Sequence, residues 1–180
     1  LQMTYSKGKK DAMKVLNDIQ NYNNGNVSIF QLDVTKITDI NFDAIKKFKP
    51  THVFYFATPF IFSGSKNKFS KQKYSKFRLY YLDAFEILVK SLSKINVNTN
   101  FLYPSSIAVE EEPLDMLEYT LAKKEGEELC MKLENKYSNI KIICPRLPRF
   151  ETDQTVSLSS VDNEDPIKFL EIIRLMKNKD

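Results

Sequence analysis

Glycine is scarce in this sequence of 180 residues: only Gly8, Gly25, Gly64 and Gly126 occur, and no two share a turn. Glycine alone lets a backbone close on a pyrophosphate at a helix N-terminus, so these residues contain no glycine-rich phosphate loop. Cysteine is equally sparse. Cys130 and Cys144 show no metal-ligand spacing and cannot build a disulfide framework, so a reducing, cytoplasmic setting without a metal site is expected. No apolar run approaches the length needed to cross a bilayer, and no secretory pattern opens the chain, so no membrane partner is expected. The only histidine, His52, stands at a strand start and reads as structural. The first residue is Leu1 rather than methionine. The sequence therefore reads as a piece of a longer polypeptide, or as one completed by another segment.

Hydrophobic residues make up 42% and charged residues 28%, ordinary globular values for one domain of this length. The net charge of +4 comes from lysines spread along the chain, among them Lys7, Lys9, Lys10, Lys46, Lys47, Lys49 and the run from Lys66 to Lys76. A nucleic-acid binder would gather such residues on one face with stacking aromatics, so no nucleic-acid partner is expected. The triplet Glu110-Glu111-Glu112 reads as a solvated loop.

Strand-like and helix-like segments alternate. Strands are expected at 1–5, 27–32, 52–56, 100–103 and 140–144. Helices are expected at 9–20, where Ala12, Val15, Leu16 and Ile19 recur at helical spacing, and at 40–48, 77–95, 119–137 and 166–177. The segment 52–56 is apolar without alternation, as in a strand buried on both faces, and the neighbouring Phe54, Tyr55, Phe56, Phe60 and Phe62 read as core and pocket wall. Polar, lysine-rich residues 63–75 read as a loop. This alternation specifies an α/β fold with a doubly wound, mostly parallel sheet, in one domain over residues 1–180.

Ligands in such sheets sit beyond the carboxyl ends of the strands. There the sequence Tyr103-Pro104-Ser105-Ser106 closes an apolar strand, and thirteen residues after Ser106 comes Tyr119, followed by Lys123 one helical turn on. A phenol titrates near pH 10, and an adjacent ammonium favours its ionised form, which would bring it toward the working range of an acid or base. A serine hydroxyl aimed at the same reacting oxygen would hold it.

Ser106, Tyr119 and Lys123, in this order on this pattern, resemble the catalytic set of the short-chain dehydrogenase/reductase family. The resemblance implies a Rossmann-like domain lacking its first βα unit, with an empty central strand position. It extends along nearly the whole chain. Leu32-Asp33-Val34-Thr35 resembles the turn facing the adenine, and Tyr55-Phe56-Ala57-Thr58 keeps only Ala57 of an Asn-Asn-Ala-Gly stretch. Arg146-Leu147-Pro148 resembles the loop over the nicotinamide and has an epimerase-like Arg-x-Pro. Tyr81 stands near the family's helix asparagine.

The resemblance implies an NAD(P)-dependent oxidoreductase. Tyr119 would exchange a proton with a carbonyl or alcohol, Ser106 would hold the substrate oxygen, and Lys123 would tune Tyr119 and hold the ribose. Asp33, Val34, Ala57, Arg146 and Pro148 would line the cofactor. Residues 3–10 contain three lysines, Lys7 among them, and no acid, which favours NADP(H) over NAD(H). The substrate is expected to be a small or carrier-tethered carbonyl, the latter if the chain resembles reductase domains of modular polyketide and peptide synthases. A homodimer or a place in a larger multidomain chain follows by the same resemblance. Two alternatives stay open: a non-catalytic Rossmann-like module, and an extended-type epimerase or dehydratase acting on a nucleotide sugar.

Overall fold

The structure, a computed structural model, describes residues 1–23, 26–36, 39–61, 68–95, 97–150, 169–171 and 173–174. The chain is α/β, and every strand pair among the described residues is parallel. Contacts cluster into two compact units, Leu1–Lys49 and Pro50–Asp180.

In the first unit, strand β1 (Gln2–Tyr5), helix α1 (Lys9–Asn23) and strand β2 (Ser28–Gln31) form one right-sized crossover. Met3 lies opposite Ile29 in the register. Leu16 is buried and Ala12 and Ile19 are half-buried, so α1 covers the pair with one stripe, whereas Val15 turns outward at 48% exposure. A 3-10 turn at Val34–Lys36 leads to helix α2 (Asp39–Phe48), which buries Phe42 and Ile45.

In the second unit, strands β3 (His52–Phe54), β4 (Thr99–Leu102) and β6 (Ile140–Ile143) form a sheet in the order β3-β4-β6. Strand β5 (Ser105–Ser106) pairs with β7 (Arg146–Leu147), continuing the lines of β4 and β6. Pro104 and Pro145 interrupt the strands, yet the ladder runs on through Tyr103 N to Ile143 O (2.9 Å), Ser105 N to Pro145 O (2.9 Å) and Ile107 N to Leu147 O (3.0 Å). The prolines are tolerated because the donors in use belong to alternate residues, which are not proline.

Helix α3 (Lys71–Arg78), a π-helical turn (Leu79–Asp83) and helix α4 (Ala84–Leu92) run on from one another. Short helix α5 (Ala108–Glu111) precedes the long helix α6 (Leu117–Lys136). Phe85, Val89, Phe101, Leu102 and Ala122 are completely buried where α4, β4 and α6 meet. Phe85 meets Tyr103 at 4.7 Å, Tyr55 at 5.0 Å and Phe101 at 5.8 Å between ring centroids, so aromatic rings run through this part of the core.

Three expectations are corrected here. The loop at 63–75 contains a helix start: Ser70 caps α3 through a bond from Lys73 N, and lysines on the solvent side had masked the pattern. The segment 52–56 is not buried on both faces. Phe54 is 38% and Phe56 55% exposed, because β3 is the outer strand of its sheet and the chain leaves the ladder after residue 54. Of the nearby aromatics only Tyr55 joins the core; Phe60 is exposed as well, and Phe62 lies outside the described residues. The triplet Glu110-Glu111-Glu112, expected as a loop, instead closes the short helix α5. Of the last expected helix, 169–171 and 173–174 are helical and the rest lies outside the described residues. No described helix is long and apolar enough to cross a membrane.

Candidate active site

Strand β5 delivers Ser106 and the first turns of α6 deliver Tyr119 and Lys123. The three side chains converge. Tyr119 is buried, and its hydroxyl interacts with Ser106. The Ser106 hydroxyl also accepts from Ala108 N at 3.2 Å, which fixes it at the start of α5. The Tyr119 ring is held edge-on by Phe77 (5.7 Å) and Tyr81 (5.9 Å). Burial raises the phenol above its ordinary titration, and the interaction with Ser106 opposes that rise. Tyr119 therefore holds its proton at neutral pH.

Lys123 does not act on that phenol as the sequence suggested. Its ammonium is buried, donates to Pro104 O at 2.6 Å and lies 3.9 Å from the Tyr81 ring centroid, 5.1 Å from that of Tyr103 and 5.9 Å from that of Tyr119. Tyr81 thus occupies the space beneath Lys123, and the lysine is stabilised by ring faces and one carbonyl. Burial lowers its titration to about 8.

This makes Lys123 a cost to the fold at neutral pH. The unfolded lysine titrates at its ordinary 10.5 and the folded one near 8. Between those values the unfolded chain holds the extra proton, so this group makes stability rise with pH across that window. Each unit of lowering corresponds to about 1.4 kcal/mol, offset by roughly 1–2 kcal/mol of ring attraction. Lys123→Met removes that cost but leaves the part-buried Pro104 carbonyl without its donor, at about 1–3 kcal/mol. Relative to the parent, the variant is expected to lose about 2 kcal/mol of stability as pH rises from about 8 to about 10. Urea unfolding at several pH values measures it; a difference from the parent that does not change with pH contradicts the reading.

The surrounding framework comes from tyrosine hydroxyls and from Gly126. The π-helical turn breaks the ordinary bonding ladder of its helix. Tyr55 donates its hydroxyl to Tyr80 O (2.6 Å) and Tyr103 donates to Tyr81 O (3.1 Å), while the Tyr81 hydroxyl shares a 2.6 Å bond with Thr58. A Cβ at Gly126 would collide with the Tyr103 hydroxyl and come within 2.9 Å of its ring carbon Cζ. The signal for Gly126 was available: it is one of four glycines, and it sits inside the helix of Tyr119 and Lys123.

The other expected site residues are placed as follows. Arg146 on β7 donates Nε and Nη2 to Glu127 (2.8 and 2.7 Å) and Nη1 to Glu110 (2.8 Å), while Ser105 donates to Glu127 (2.5 Å). Arg146 thereby clamps β7 to α6 and α5. Pro148 is half-buried just after β7, and Ala57 is half-buried in the loop after β3. In the first unit, Asp33 accepts from Thr35 N (3.0 Å) and Thr35 Oγ1 (2.7 Å), which lowers its titration. Val34 begins the adjoining 3-10 turn, and exposed Lys7 lies at the carboxyl end of β1, within electrostatic reach of Asp33.

The fold is that of the short-chain dehydrogenases. The chain superposes on a short-chain dehydrogenase from Salmonella enterica serovar Typhi CT18 with a TM-score of 0.77 and 13% identity, covering 96% of this chain and 76% of the other. It matches one from Escherichia coli CFT073, complexed with NADPH, with a TM-score of 0.79 and 12% identity over 96% and 77% of the two chains. It matches FolM alternative dihydrofolate reductase 1 from Brucella suis, in complex with NADP, with a TM-score of 0.77 and 13% identity over 97% and 76%. No family model and no curated protein sequence matches the chain.

Proposed function

We propose that this chain carries the catalytic machinery of an NADP(H)-dependent oxidoreductase of the short-chain dehydrogenase/reductase type, reducing a carbonyl or oxidising the corresponding alcohol. The observation that carries the reading is the interacting pair Ser106–Tyr119 with the Lys123 ammonium one turn along α6. Because burial keeps Tyr119 protonated, the site is set up to give a proton to a carbonyl oxygen, the direction of reduction. Ser106 donates to the same oxygen and steadies the charge that develops there.

A nicotinamide dinucleotide, when bound, supplies the hydride. The donors present suit its nicotinamide end: an ammonium with three N–H groups, one of them given to Pro104 O, and two hydroxyls. Exposed Lys7 beside Asp33 suits a 2′-phosphate and favours NADP(H). The turn that would hold the pyrophosphate is not among these 180 residues. A small or carrier-tethered carbonyl is the proposed substrate class.

A titration of the natural polypeptide with NADPH and NADH, followed by nicotinamide fluorescence, tests the reading. Saturable binding is expected, at least tenfold tighter for NADPH. Absence of binding to either dinucleotide would support the alternative, a non-catalytic module that retains only the fold.

A further inference from the structure

Two turns beyond Lys123 on α6, a second reactive cluster lies outside the proposed machinery. We propose that Cys130 and Cys144 form a dithiol that a hydroperoxide oxidises to a disulfide, with Cys144 as the attacking sulfur. Cys130 projects from α6, and Cys144 follows β6 by one residue, immediately before Pro145. Their side chains interact with each other, and both line an open cavity of about 370 Å³ with Met131, Ile142, Glu134 and Arg146.

The two sulfurs differ in the way an attacking and a resolving thiol must. Cys130 is 3% exposed, whereas Cys144 is only half-buried and reaches the cavity. The pairing with Cys130, together with the cations of Lys123 and Arg146 nearby, favours the Cys144 thiolate, against partial burial and the charge of Glu127. Burial and the same thiol pairing push Cys130 upward, so it keeps its proton. Only the thiolate is a nucleophile, which selects Cys144.

The chemistry balances. The Cys144 thiolate attacks the outer oxygen of the hydroperoxide, the O–O bond breaks, and an alcohol leaves with one proton, so that Cys144 becomes a sulfenic acid. The Cys130 sulfur then displaces that hydroxyl, the S–S bond forms, and water departs. The two thiols together give up two electrons, which the hydroperoxide accepts. The bridge would tie the helix bearing Tyr119 and Lys123 to the end of β6. It does not depend on the oxidoreductase reading, because its test reads sulfur chemistry and not turnover.

The experiment is to expose the folded protein to hydrogen peroxide, quench, denature, alkylate with iodoacetamide and map thiols by mass spectrometry. Expected are the parallel loss of alkylation at both cysteines, a peptide cross-link between them and a fall of about two mass units, all reversed by dithiothreitol. In Cys130→Ser, Cys144 should stop at a sulfenic acid trapped by dimedone; in Cys144→Ser, Cys130 should stay reduced. Persistent alkylation of both thiols, or sulfinic acid at Cys144 with Cys130 still free, overturns the proposal.

Discussion

Replacing Tyr119 by phenylalanine is expected to lower kcat for carbonyl reduction by about 10²–10⁴-fold while leaving dinucleotide binding and the fold nearly unchanged. That loss corresponds to roughly 3–5 kcal/mol of transition-state stabilisation. The separation of effects follows from what the side chain touches. The ring packs edge-on against Phe77 and Tyr81, and phenylalanine keeps both contacts. The hydroxyl faces Ser106, which retains its bond from Ala108 N when the phenol is gone. The variant removes the proton donor and little else. Steady-state consumption of NADPH with an aldehyde or ketone substrate, beside a binding isotherm, measures both quantities. Undiminished turnover in a variant that binds NADPH normally would remove Tyr119 from the chemistry.

Gly126→Ala reverses the sign that helix propensity alone predicts. Alanine in a helix interior is favoured over glycine by about 1 kcal/mol, so an uncrowded site would gain stability. Here the new methyl meets the Tyr103 hydroxyl, and that hydroxyl is the donor to Tyr81 O in the π-helical turn. Overpacking costs about 1–3 kcal/mol, and a buried carbonyl deprived of its donor costs a similar amount. The expected result is a net destabilisation of about 2–4 kcal/mol, or a fall in Tm of roughly 5–15 °C for a chain of this size. Adding Tyr103→Phe should recover part of the loss, because the oxygen is the nearest colliding atom. A Gly126→Ala protein that melts at or above the parent temperature would show that Tyr103 can move aside at no cost.

The parallel α/β alternation was legible because the periodicities of α1 and α4 and the apolar runs of β2, β4 and β6 are strong. Ser106, Tyr119 and Lys123 were legible because one helical turn and one strand end fix their spacing. What sits beneath Lys123 was not. Nothing in a pattern of polar and apolar residues says that Tyr81 turns its ring toward an ammonium, or that Tyr103 reaches a carbonyl in the π-helical turn. The partners of Arg146 were hidden for the same reason: Glu110 and Glu127 are distant in sequence, and the acidic triplet around Glu110 read as solvated loop until β7 brought a guanidinium against it. Exposure of Phe54 and Phe56 escaped the sequence because an apolar run does not say which strand ends a sheet.

The wide turn at Leu79–Asp83 also sets the phase of everything after it. Phe77, Tyr81 and Phe85 are all buried, yet eight residues of regular α-helix would carry Phe85 about 80° past the direction of Phe77. One looser coil absorbs that drift, so α4 still presents Phe85, Val89 and Leu92 to the sheet. Removing one residue there would leave regular winding with Phe85 about 20° short of the direction of Phe77, so the downstream stripe would keep its face, whereas inserting one would swing that stripe sideways by about 100°.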